Sequence, residues 1–300
     1  MQRMLAVLGA VALVVIAVVV RGMIDGDGVG GVSGDGGPVT VACIVELRDP
    51  CRALAASDAD VDVVVEAAGT TLDKLTAGAT GYDGWVTLDP WPSVAGEDRP
   101  AQALGEPTEP IASTELVIVS PDTAEPCAGD VTWRCLGDAG ANVGLPDRTG
   151  ALGLLLVANA ASDYFDKVDD LATNDFNEDP QFDGWLDRLT ADTTSDPLGD
   201  LLLAFPPTLV FDAVGTSRAQ VAADVGSRVV DRLVVVAPDP AGRAHVVIAP
   251  VRGADGAEAV TELADDAGFL DALTDAGWER GATGSTNLPR AGVLYVLLTR

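Results

Sequence analysis

Four short polar stretches are the places where this chain's residue types could do chemistry: Glu46-Leu47-Arg48, Gly69-Thr70-Thr71, Asp147-Arg148-Thr149-Gly150 and Gly215-Thr216-Ser217. Each lies between an apolar, strand-like run and a helical segment. Hydroxyls and free backbone N–H groups at a helix N-terminus, where the backbone leaves partial positive charge, suit an oxygen-rich ligand. In α/β sheets such loops fall at the carboxyl ends of strands, where ligands bind. One such junction is an ordinary N-cap, whereas four in one chain favour a binding site. The candidate ligand-binding residues are Glu46, Arg48, Thr70, Thr71, Arg148, Thr149, Thr216 and Ser217.

Other chemistries find less support. His245 is the single histidine, so a Ser-His-Asp or Cys-His arrangement would have to use it, and no G-x-S-x-G elbow is present. It reads as a strand-end histidine pointing to solvent, and the chain reads as non-catalytic. Carboxylates are so plentiful that no one pair is informative as a glycosidase site. Trp185 and Trp278 lie on amphipathic segments and read as core. Asp175, Asn177 and Asp179 begin like a calcium loop. Pro180 then stands where the turn needs glycine, and Leu186 where the bidentate glutamate belongs, so the segment reads as a polar loop with an Asp-Pro helix entry. Neither a metal nor a cofactor is expected. The cysteines fall into two pairs, Cys43 with Cys51 and Cys127 with Cys135, each with seven residues between. In an exported chain such a set reads as disulfides, and local pairing is favoured among the three connectivities.

The elements that would position these groups alternate. Order begins at Val39 with VTVACIV, followed by the helical RALAASD. VDVVVEAAG reads as a buried strand, TLDKLTAG as a helix, and GWVTLDPW and TELVIVSPD as further strands. A second series runs through ANVGLPD, the helix TGALGLLLVANAASDYF, and PQFDGWLDRLTAD, where Phe182, Trp185, Leu186 and Leu189 share one helical face. SRAQVAADVGSRVVD is a helix capped by Thr216-Ser217. RLVVVAPD and AHVVIAPV are strands, and FLDALTDAGW closes with a helix. The alternation predicts a parallel α/β sheet covered on both faces.

The amino terminus bears on location. Met4 to Val20 is a 17-residue apolar run between Arg3 and Arg21, spanning about 26 Å as a helix. Arg21, Met23 and Ile24 stand where a small-x-small cleavage site would follow, so residues 1–22, a signal-anchor or a signal peptide, read in preference as a retained anchor. A lipid anchor on Cys43 is disfavoured, because that cysteine lies inside a strand-like run. Arg3 and the amino terminus favour an N-terminus-in orientation. Residues 23–38 are glycine- and Asp-rich and read as a flexible linker. The expected location is the cell membrane, single-pass, with residues 39–300 on the extracytoplasmic face. The chain carries 46 acidic and 18 basic residues, a net charge of −28. Such a field repels nucleic acid and anionic lipid heads and favours cations and basic partners.

Taken in order, VVVEAAGTTLDKL, ELVIVSPD, GLPDRTGALGLLLVANAA, FDAVGTSRAQV, AHVVIAPV and FLDALTDAGWE resemble the type II periplasmic (extracellular solute-binding) protein family, in its actinobacterial, molybdate- and sulfate-binding-like branch. The resemblance implies an α/β, two-lobed fold preceded by one transmembrane helix. Lobe I would be 39–118 and 245–300, and lobe II 119–244. It also implies a small polar solute in the inter-lobe cleft, no cofactor, and a membrane permease or envelope protein as partner. One departure matters: the hydroxyl-rich loop that oxyanion ligands use after the first strand is here Glu46-Leu47-Arg48. This argues against molybdate or sulfate. The alternative expectation is an envelope protein–protein interaction module that keeps the fold without a small ligand.

Overall fold

In the computed structural model, the apolar runs of the first series form parallel strands β1 (Val39–Ile44), β2 (Val61–Glu66) and β3 (Gly84–Asp89), with β1 between the other two. The structure describes residues 37–57, 60–78, 81–98, 103–122, 124, 126–127, 129–203, 210–224, 232–281 and 285–300. The expected anchor, 1–22, and residues 23–36 of the expected linker lie outside the described residues. No described helix is long and apolar enough to cross a membrane.

Helices α1 (Arg48–Ser57), α2 (Ala68–Ala77) and α3 (Trp91–Asp98) follow the three strands. Strand β2 corrects the expectation of a buried strand. It is the sheet edge, paired only with β1, and Val64 is exposed.

Strand β4 (Ala112–Pro121) joins two sheet halves. Its first residues, Ala112–Glu115, run antiparallel to β9 (Arg243–Pro250), and Leu116–Val119 run antiparallel to β7 (Ala213–Ser217). Beyond β7 come β5 (Val143–Pro146) and β6 (Asp192–Thr194), both parallel to their neighbours. The order is β2-β1-β3-β9-β4-β7-β5-β6, and β8 (Leu233–Val236) and β10 (Glu279–Arg280) also pair with β4. The sheet is therefore mixed, not parallel throughout. A buried antiparallel return strand such as β9 carries the same continuous apolar pattern as a parallel one. This position also corrects the reading of His245, which is 2% exposed on β9 between β3 and β4. Burial, with the charge of Arg243, holds its imidazole below the usual range.

The second sheet half carries α4 (Trp133–Ala139), α5 (Ala151–Phe165), α6 (Thr173–Glu178), α7 (Phe182–Leu189), α8 (Pro197–Leu203) and α9 (Arg218–Asp224). Residues 151–162 of α5 are all buried, as a helix apolar on every face must be. Its Asn159 receives the Trp133 Nε1–H (2.7 Å) and donates to the Pro240 carbonyl (2.8 Å), so this buried amide is satisfied. In α7, Phe182, Trp185, Leu186 and Leu189 are buried on one face. The calcium-like segment begins in helix α6 (Thr173–Glu178), turns at residues 179–181, and enters α7 at Phe182 just after Asp179-Pro180. Asp175 in α6 accepts from Lys167 and from the Ala172 N–H, and Asp179 accepts from Tyr164. The chain closes with α10 (Ala257–Glu262), α11 (Ala267–Asp275) and α12 (Ala291–Thr299), and α12 packs against both α3 and α5.

Candidate functional site

The carboxyl ends of β1 and β2 face those of β5 and β6 across a cleft of about 520 Å³, a size that suits a small molecule. From one sheet half it is lined by Glu46, Arg48 and Ala67, with Trp278 from the segment after α11. Asp147, Thr149, Asp196 and Gln220 line it from the other.

Glu46 occupies a single 3₁₀ turn, Val45–Leu47, between β1 and α1. The Cys43–Cys51 disulfide brackets this turn, joining the end of β1 to α1 and restricting the segment that carries Glu46. Cys127–Cys135 forms likewise, so both local pairs are present.

Hydrogen bonds join the two sides among the described residues. Leu152 N–H donates to Glu46 Oε1 (2.9 Å), Gly69 N–H to the Thr149 carbonyl (2.8 Å), and Trp91 Nε1–H to the Ala151 carbonyl (3.1 Å). Gly69 permits this closeness: a Cβ there would lie 3.1 Å from both Cβ and the carbonyl oxygen of Thr149. Gly153 acts within one side, where a Cβ would lie 2.1 Å from the Asp147 carbonyl oxygen.

The acidic groups differ in how they are held. Asp147 Oδ1 accepts from the Thr149 N–H and hydroxyl, both at 2.8 Å. Asp196 Oδ1 accepts from the Gly199 N–H (2.9 Å) in the first turn of α8. Glu46 Oε2 is buried and has no hydrogen-bond partner. Burial raises the Glu46 carboxyl above its ordinary range, and the backbone N–H groups of Leu152 and Ala151 offset this only in part.

The eight candidates from sequence separate into distinct environments. Glu46, Arg48 and Thr149 line the cleft. Arg148 lines a neighbouring depression of about 260 Å³ with Asp187, Thr190 and Thr193. Thr70 is exposed and does not line the cleft. Thr71 is buried and donates to Glu66 Oε1 (2.8 Å). Thr216 and Ser217 are each 1% exposed within β7, where they bond Gln220 through its side chain (2.6 Å) and backbone N–H (3.2 Å). These buried hydroxyls are satisfied by residues of the adjoining strand or helix, which keeps them out of the cleft.

Asp196, Gln220 and Trp278 line the cleft without being singled out as site residues by the sequence. For Asp196 a signal is present, since Asp-Pro ahead of an apolar run marks a helix start. Gln220 and Trp278 reach the cleft through tertiary placement, which no local pattern announces.

No protein-family model matches the chain, and no curated protein matches it in sequence. Among solved structures it is similar to a periplasmic thiamin binding protein, at 13% identity over 88% of this chain and 89% of that one, with a TM-score of 0.58. It is similar to the sulfate-binding protein SubI from Mycobacterium tuberculosis H37Rv at 14% identity, covering 82% and 87%, with a TM-score of 0.50. The regulatory domain of a variant OxyR2 from Vibrio vulnificus matches at 11% identity, covering 82% and 100%, with a TM-score of 0.51. At these identities the likeness is one of fold. The chain has the mixed α/β fold of the two-lobed periplasmic binding proteins, which a regulatory domain shares, so the fold alone does not choose a function.

Proposed function

We propose that this chain is a non-catalytic, extracytoplasmic solute-binding protein that takes a small polar ligand between its two sheet halves. Residues 1–22 would tether it to the cell membrane as a single-pass anchor, with 23–38 as a flexible linker and a permease or envelope protein as partner. The lobes would be 39–118 with 245–300, and 119–244. The quoted sequence motifs support the actinobacterial, molybdate- and sulfate-binding-like branch. One observation carries the reading: a cleft of ligand size at the carboxyl ends of β1, β2, β5 and β6, with polar groups supplied from both sides. That is where open α/β sheets bind ligands. A thermal-shift screen of anions, cations, sugars and amino acids tests it, because a ligand that binds only the folded state raises the melting temperature by mass action. A specific, saturable rise is expected. No rise with any compound contradicts the reading.

A second reading is favoured by the hydrogen bonds across the cleft. They join its walls through the chain's own groups, as an envelope interaction module with the same fold would require.

A further inference from the structure

Anions are poorly served by this cleft. The N-terminus of α5 is the part of its wall best suited to a negative group, yet its donors are already engaged. Thr149 N–H bonds Asp147 Oδ1, Gly150 N–H bonds the Asp147 carbonyl, and Leu152 N–H bonds Glu46 Oε1, with the Ala151 N–H also directed at the Glu46 carboxyl. The chain's own carboxylate thus holds the position an incoming oxyanion would seek.

The remaining charge favours the opposite sign. Glu46, Asp147 and Asp196 line the cleft, with Asp49, which pairs with Arg52 (3.7 Å), against the single guanidinium of Arg48, which makes no ion pair with any described residue. Glu46 Oε2 is buried without a partner, whereas Asp147 and Asp196 are exposed and leave Oδ2 without a hydrogen bond among the described residues. A buried, unpaired carboxylate oxygen is costly unless something supplies a donor. No group of three or more His, Cys, Asp or Glu side chains that could hold a metal ion occurs among the described residues. Trp278 lines the same cleft, and an indole favours organic cations.

We infer that the ligand carries a cationic nitrogen, as an alkylammonium or guanidinium group, whose charge is countered by Glu46 from one side and by Asp147 and Asp196 from the other. The inference rests on the solute-binding reading, and its test keeps the two apart.

The full chain, in a maltoside detergent, is titrated calorimetrically with choline, putrescine and agmatine. The uncharged choline isostere 3,3-dimethylbutan-1-ol, sulfate and the neutral and anionic compounds of the screen are run beside them. At least one of the three cations binds, and sulfate and the isostere do not. Glu46→Gln weakens that cation about ten- to hundredfold, the loss of one charge-assisted hydrogen bond. Gln keeps an acceptor for the Leu152 N–H, so an unchanged melting temperature without ligand certifies the fold. Asp196→Asn is a second variant, expected to weaken binding in the same direction. Neutral or anionic binding with all three cations silent overturns this inference and leaves the solute-binding reading standing. Cation binding unaffected by both variants overturns the assignment of Glu46 and Asp196. No binding by any compound overturns both inference and reading.

Discussion

Two glutamates at the ends of adjacent parallel strands meet opposite fates. Glu66, the last residue of β2, accepts from Thr71 (2.8 Å) and Tyr82 (3.0 Å) through Oε1 and from Lys74 through Oε2. Burial alone would raise its carboxyl, but the hydrogen bonds from Lys74, Thr71 and Tyr82 and the Lys74 charge outweigh it and hold it below the ordinary range. Glu46, just past β1, carries a buried carboxylate, yet it receives only backbone N–H groups on one oxygen, and its carboxyl is held above that range. Of the chain's two lysines, one neutralises Glu66 and the other Asp175. The strand end on the sheet edge is completed by its own chain. The strand end in the cleft is left incomplete, which is what a group reserved for a ligand requires.

The sharpest way to break this comparison is to delete each carboxylate. Glu46→Ala strips the acceptor from the N-terminus of α5 and is expected to cost about 1–2 kcal/mol in denaturant unfolding. Glu66→Ala should lose less, because water screens the partly exposed Lys74 pair. Equal losses would mean that Glu46 does not join the two sides of the cleft.

A smaller effect separates the two by pH. Glu46 is raised in the folded state, so its contribution is full below the ordinary glutamate value and is lost as pH rises through the folded value. Glu66 is lowered, so its contribution is present above the ordinary value and is lost as pH falls through the folded one. Stability–pH curves of Glu46→Gln and Glu66→Gln should differ from that of the parent with opposite slopes. Slopes of the same sign would contradict the assigned environments.

Much of the fold was legible because buried strands write themselves as apolar runs. β1, β3, β5 and the fully buried α5 follow directly from such runs, and the face of α7 follows from helical spacing. Pairing direction was not legible, since β9 carries the same pattern whether it runs with or against its neighbours. β6 and β10 escape a reading of the sequence because DTT and ER carry no apolar signal. Of the site, Glu46, Arg48 and Thr149 were legible because strand order delivers junction loops to one edge. Thr216 was not separable from sequence, because its partner Gln220 is reached across the junction from β7 to α9. Nothing local could show that Glu46 reaches Leu152, 106 residues away.

The central claim is that a cationic solute occupies this cleft against Glu46, and a crystal structure with the tightest-binding compound of the screen tests it most directly. The account predicts a ligand nitrogen within about 3 Å of Glu46 Oε2, with Asp147, Asp196 and Trp278 around it. Ligand density outside the cleft, or a bound group whose anionic oxygens face the N-terminus of α5 with Glu46 displaced, would contradict it.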